Sequence, residues 1–290
     1  MKNNILTDFI LFTVVPFIIP FLSEIPDDKI SPSVKWVIII CAIIVDFFFA
    51  YKSLIKNKKE ENKEYIYNSI RYAYSGAHEI AKRKRDNLSH EIEFNMVNIK
   101  DNILPYDIHS HISDICEEFK KIISTITKVN TEYISISFIY RYTYPGCSDS
   151  DQQWKWLGGR EPIKNFELNQ FIHIEDTMFY NIIDKDKHYI FGNDKIELSI
   201  KKEYHLGTRD AMHDNIGSAF AIKLAFGENS NTLVEGIISV TTHGMRFDKN
   251  MIIDNAPNIL KNMIINEIFP YYRYIFEIEL GLLYLRHINK

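Results

Sequence analysis

The chain has 290 residues, 34 Lys+Arg against 38 Asp+Glu, a formal net charge of −4, and 46% hydrophobic residues. That composition excludes a disordered chain, a collagen-like repeat and a uniformly basic nucleic-acid binder, and leaves room for one or two domains. The averages conceal a strongly apolar amino-terminal fifth.

Residues 5–22 carry one charge, Asp8, and residues 34–51 carry Lys35 and Asp46. Each run is about 18 residues, roughly 27 Å as helix, which spans a hydrocarbon core. Between them, residues 23–33 hold two prolines and net negative charge and read as a short external turn. The pattern predicts a two-helix transmembrane hairpin; a secretory signal and a buried core helix are the alternatives. A signal would need a basic start and a small-residue cleavage site, and neither stands here. Lys52, Lys56, Lys58, Lys59 and Lys63 follow the second run, while the turn has Lys29 and Lys35 beside Glu24, Asp27 and Asp28. By the positive-inside rule both termini, and about 240 residues, are cytoplasmic. Trp36 and Tyr51 sit where interfacial anchors belong.

Asp8 and Asp46 fall near the cytoplasmic interface of such a hairpin. They are either interfacial residues without a special role, or they line an oligomeric opening or bond across helices. Pro16 and Pro20 kink or loosen the first helix, which suits a mobile element.

Residues 52–100 are polar, with mixed charges, no proline and a single glycine. Ile66, Ile70, Ala73, Ala77 and Ile80 form a narrow seam at steps of four and three, predicting a stalk helix that pairs with another copy. The run Lys82-Arg83-Lys84-Arg85 reads as a solvated face paired with Glu79 and Asp86. Along a continuous helix it lies about 45–50 Å from the membrane, several Debye lengths, too far for lipid headgroups. Ser89-His90-Glu91-Ile92 resembles the phosphoacceptor box of sensor histidine kinases. The family's Arg-Thr-Pro-Leu is replaced here by Glu93-Phe94-Asn95-Met96, and no ATP-binding boxes follow.

Ile108, Ile112, Ile115, Phe119, Ile122 and Ile126 predict a helix over 107–128. Ile134, Ile136, Phe138 and Tyr140 then alternate with smaller residues, a half-buried strand. A polar loop leads to a strand at 154–157, turning at Gly158-Gly159. Residues 175–183 read as helix, 188–192 as a short strand, and 195–215 as a mixed polar segment. Residues 218–225 and 234–242 are the arms of a hairpin, and a terminal helix broken at Pro270 covers 255–288. The order predicts an α+β domain with an antiparallel sheet flanked by helices.

Gly217-Ser218-Ala219-Phe220-Ala221-Ile222, Gly236-Ile237-Ile238-Ser239-Val240 and Phe247-Asp248 carry a resemblance. They resemble the two adjacent central strands of the GAF family of small-molecule sensor domains and the start of its last helix. Residues 177–194 are similar to the helix and short strand before that family's pocket lid. The Asn-Lys-Phe-Asp-Glu signature of phosphodiesterase GAF domains is absent, and no Cys is placed for a bilin. The resemblance implies a pocket between one sheet face and the variable segment, lined by Trp154, Trp156, Phe191, Asn193 and the stretch 204–212. Within that stretch Tyr204, His205, Thr208, Arg209 and Asp210 supply an aromatic ring, an imidazole, a hydroxyl and a guanidinium. Arg209 suits a phosphate and an aromatic side chain suits a base. The bland alternatives stay open: the tryptophans as core or dimer contacts, Arg209-Asp210 as a surface pair.

Residues 101–290 hold 20 basic and 26 acidic side chains, so an anionic ligand needs a local cationic pocket, and DNA is not an expected partner. Cys41, Cys116 and Cys147 read as reduced thiols. No metal-ligand spacing, phosphate-cradling glycine loop or nucleophile elbow occurs, so neither catalysis nor a cofactor is expected. The expected divisions are 1–54 hairpin, 55–128 stalk and first sensor helix, 129–248 sensor core, and 249–290 terminal helix. The terminal helix is more apolar than one face requires, which predicts a homo-oligomer. Ile-, Lys- and Asn-rich composition suggests an AT-rich bacterium, and the two spans place the chain in its inner membrane.

Two functions fit. One is a ligand-gated membrane effector, similar in domain order to membrane effectors of bacterial cyclic-nucleotide anti-phage signalling. The other is a membrane-tethered binding module that recruits a partner through an inert anchor.

Overall fold

The computed structural model of the chain describes residues 20, 24, 31–94, 108–159, 165–228, 231–251 and 255–288. Two compact units divide the chain, Met1–Tyr65 and Ile66–Lys290.

In the first unit, helix α1 (Pro32–Phe94) begins. Among the described residues one helix is long and apolar enough to cross a membrane, the 27-residue stretch Pro32–Lys58 of α1. It contains the expected second span and Asp46. Its side chains lie outward, with Trp36 64% and Phe47 75% exposed, the reverse of a core helix. Of the expected first span only Pro20 is described, in helical conformation. Asp8 and Pro16 lie outside the described residues.

The second unit is a five-stranded antiparallel sheet with helices on both faces, in the strand order β2-β1-β5-β4-β3. Its strands are β1 (Ile134–Tyr142), β2 (Lys155–Gly159), β3 (Tyr189–Gly192), β4 (Ala219–Glu228) and β5 (Asn231–Thr242). Alternation decides which way each side chain points. Ile134, Ile136, Phe138, Tyr140 and Tyr142 of β1 join Phe220, Ile222, Ile238 and Val240 in one core. Helices α2 (Ile108–Thr127) and α8 (Phe269–Ile288) cover that face. Phe119 of α2 is its hub, with ring centroids 5.0 Å from Tyr272, 5.9 Å from Phe269 and 6.4 Å from Phe220. Gly236 lets the helix approach, because a Cβ there would sit 2.8 Å from the Phe138 ring and 3.2 Å from Leu280.

The opposite face carries short helices: α3 (Asn165–Phe171), α4 (Met178–Ile183), α5 (Lys195–Ile200) and α6 (Thr208–Ala211). They bury a second cluster with Trp154, Trp156, Leu168, Ile182 and Tyr204 against Ile139, Ala219, Ala221 and Ile237.

Three expectations are corrected. The seam of α1 is covered by the chain's own core, with Ala73 0%, Ala77 8% and Ile80 2% exposed. A narrow stripe of small residues suits any close-packed neighbour, and here the neighbour is intramolecular. Residues 66–94 and 108–128 lie in the second unit, Ile66–Lys290. Lys84 does not lie on a solvated face; it reaches the fully buried Glu279 of α8, where His111 also approaches to 3.6 Å. The terminal helix is three pieces, α7 (Ala256–Asn262), a π-helical stretch Met263–Ile268, and α8. Pro270 has no N–H and its ring crowds the carbonyl four residues back, Asn266, so the wider turn falls there.

Candidate functional site

The sheet face beneath α3–α6 has a strip of small polar side chains at its centre. Register pairs Ser135 of β1 with Thr241 of β5, and Ser137 with Ser239, all pointing the way Ile139 and Ile237 point. Ala219 and Ala221 of β4 continue the strip beside Thr241 and Ser239. Ser135, Ser137 and Thr241 keep partial exposure.

Arg209 of α6 reaches this strip. Its Nη1 donates to Ser135 Oγ at 2.8 Å, and the side chain is half-buried. Among the described residues it has no carboxylate partner, which leaves most of its donor fork for another acceptor.

Its neighbour Asp210 points the other way, into a buried cluster. Lys195, fully covered, donates from Nζ to Asp210 Oδ1 at 2.5 Å. His243 Nδ1 lies 3.2 Å from the same oxygen and 3.3 Å from Lys195 Nζ. The Tyr204 hydroxyl donates to Oδ2 at 3.1 Å, as does the Gly207 amide at 3.0 Å. Burial alone would raise the Asp210 carboxyl. The bonds from His243, Lys195 and the Gly207 amide outweigh it and hold the group well below the usual carboxylate range. Burial pushes the Lys195 ammonium down, with Asp210 opposing. Every member has a partner and Lys195 is fully covered, so the cluster anchors α6 and thereby aims Arg209.

The anchor is itself pinned by backbone contacts. Asp194 caps α5, accepting from the Ile196 amide at 2.8 Å, and pairs with Arg246 beyond β5. The Lys195 amide donates to Gly217 O at 3.0 Å. A Cβ at Gly217 would stand 2.2 Å from Thr242 O, so only glycine allows this approach.

The other expected lining residues divide. Trp154 and Trp156 lie on the same face, buried in the second cluster. Trp154 is 2% exposed, its indole Nε1 has no hydrogen-bond partner among the described residues, and Arg141 sits 4.9 Å over its ring. His205 turns to Asp176 at 3.0 Å. Thr208 is exposed at the start of α6. Phe191 points to the opposite face, stacked at 6.1 Å on Phe220, because it pairs in register with that residue. The Asn193 carbonyl accepts from Ser218 Oγ at 2.7 Å, a structural tie.

Sequence reasoning missed Lys195, His243 and the Ser/Thr strip. Lys195 is indistinguishable in sequence from the solvated lysines 201 and 202, and the strip forms only through register. Among the described residues no group of three or more His, Cys, Asp and Glu side chains is placed to hold a metal ion. Burial pushes the Cys116 thiol up to about 12, so it is a core residue at neutral pH. No family model matches the chain, and no curated protein matches it.

Proposed function

We propose that this chain is a membrane-anchored cytoplasmic sensor of a small anionic ligand. The ligand binds on the Ser/Thr strip under Arg209, and binding rearranges or opens the apolar amino-terminal helices in the membrane. The observation that carries the reading is Arg209: a half-buried guanidinium above hydroxyls, with a serine as its protein partner. Such a fork takes phosphate or carboxylate oxygens two at a time. A second observation links it to the membrane, since helix α1 contains both the apolar stretch Pro32–Lys58 and the buried residues Ala73, Ala77 and Ile80.

The GAF-like resemblance is supported by β4 and β5 lying adjacent inside an antiparallel sheet flanked by helices. That resemblance and the domain order favour a cyclic nucleotide as ligand, and a bacterial anti-phage effector as role. Two spans with both termini in the cytoplasm follow from the lysine distribution around residues 5–22 and 34–51. A homo-oligomer is supported by the exposed stripe Tyr271, Tyr274 and Ile278 on α8.

The test is dye uptake in bacteria producing the full chain together with a cyclase that makes cyclic mono- or dinucleotides. Uptake that requires both the nucleotide and Arg209 supports the effector. If the membrane stays sealed with every nucleotide, and an unrelated anchor in place of residues 1–54 preserves function, the tether reading replaces it.

A further inference from the structure

On the face opposite Arg209, where β1 ends and β2 begins, lies a cavity of about 400 Å³. Sites for small molecules run from roughly 300 to 1,000 Å³. Tyr140 and Tyr142 of β1 form its inner wall, and Lys155, Arg286, His287 and His109 stand around them. Three of these come from separate elements: Lys155 opens β2, Arg286 lies in the last turn of α8, and His109 in the first turn of α2.

The charge is local and opposite to that of the domain. Residues 101–290 are acidic, with 20 basic against 26 acidic side chains, yet among the described residues Asp151 is the one carboxylate lining the cavity. That carboxylate is already engaged, accepting from Ser148 Oγ at 2.6 Å and lying 3.3 Å from His287 Nε2 and 3.5 Å from Lys155 Nζ. Arg286 is exposed and has no carboxylate partner among the described residues. The His287 imidazole is fixed from two sides, by Asp151 and by stacking at 4.1 Å on Tyr142. A guanidinium, an ammonium and an imidazole converging on one space offer more donors than a carboxylate's two oxygens accept, which favours phosphate.

We propose that this cavity binds a small phosphate-bearing ligand, with Arg286 and Lys155 holding the phosphate oxygens, as a second site distinct from that of Arg209. It stands on different residues of a different sheet face, so it does not depend on the function proposed above.

The experiment is calorimetric titration of the full chain, in detergent micelles and phosphate-free buffer, with pyrophosphate and with AMP. Saturable binding by the wild type, weakened about tenfold or more in Arg286→Gln and Lys155→Gln, is expected. Arg286 is solvent-exposed, and matching thermal unfolding of its variant separates lost binding from lost fold. Weakening in Arg209→Gln alone assigns the anion to the other face and overturns the second site. Equal binding by all variants, or no binding of either probe, also overturns it. Repeating the titration in nanodiscs with and without phosphatidic acid identifies the source. Competition assigns the cavity to a lipid headgroup and its absence to a soluble phosphate, and both outcomes retain the anion site.

Discussion

The two faces of the sheet are made by the same strands, residue by alternate residue, and are finished by opposite chemistry. Toward α2 and α8, β1 and β5 present Ile136, Phe138, Ile238 and Val240, sealed by Phe119, Tyr272 and Phe276. Toward α3–α6 the same strands present Ser135, Ser137, Ser239 and Thr241, and the covering segment is held by a buried ion pair and hydrogen bonds. The first face is closed by apolar packing around one buried pair, Lys84 with Glu279. The second orders a cationic side chain above hydroxyls and, among the described residues, leaves it without a carboxylate. The contrast teaches that apolar packing and ordered polar groups are divided between faces, so substitutions on each should fail differently.

The sharpest break of that division is Phe119→Ala on the apolar face. Removing a fully buried ring with four aromatic neighbours should cost about 3–5 kcal/mol, read by thermal or urea unfolding of the full chain. Asp210→Ala should cost about 3 kcal/mol or more by leaving Lys195 buried without its counter-charge. The double change Lys195→Met, Asp210→Leu should recover most of that loss while misplacing Arg209, so stability returns and ligand binding does not.

Acid titration sharpens the same point. The Asp210 carboxyl is held below its unfolded range, so its contribution is fully present above about pH 4 and is lost as pH falls further toward its folded value. Asp210→Ala should therefore flatten the acid limb of the stability curve. A wild-type limb unchanged by the substitution would deny the pair its role.

Gly217→Ala should cost about 1–3 kcal/mol, because the new methyl meets Thr242 O and must displace strand β5 or the Lys195 anchor. The smallest effect is expected at the site itself. Arg209→Gln should leave unfolding within about 0.5 kcal/mol of wild type, since its protein partner is one hydroxyl. A large loss would make Arg209 a structural residue and erase the contrast between faces.

Local pattern made the elements legible and left their partners unread. The alternation from Ile134 to Tyr140 and the glycine-bounded turn near residue 229 are period-two signals, and strands β1, β4 and β5 stand there within a few residues. The seam at Ala73 and Ala77 was equally clear, but a stripe carries no information on whether another copy or the same chain covers it. Arg209 could be singled out as a cation in a mixed segment. That Asp210 would turn away from it, toward Lys195 and His243, depends on contacts 15 and 33 residues distant. Ser135 and Thr241 read as ordinary solvent-side positions until register sets them together. Phe191 reads as a ligand-face residue until its register against Phe220 is known.

The central claim is that an anion binds the polar face through Arg209. Its most direct test is thermal unfolding of the full chain in micelles against a panel of cyclic mono- and dinucleotides. At a hundredfold excess over Kd, binding adds about 2.7 kcal/mol, which for a unit of this size raises Tm by roughly 5–10 °C. The account predicts that rise for at least one nucleotide in wild type and in Arg286→Gln, and none in Arg209→Gln, whose own Tm is unchanged. An equal rise in Arg209→Gln would contradict it.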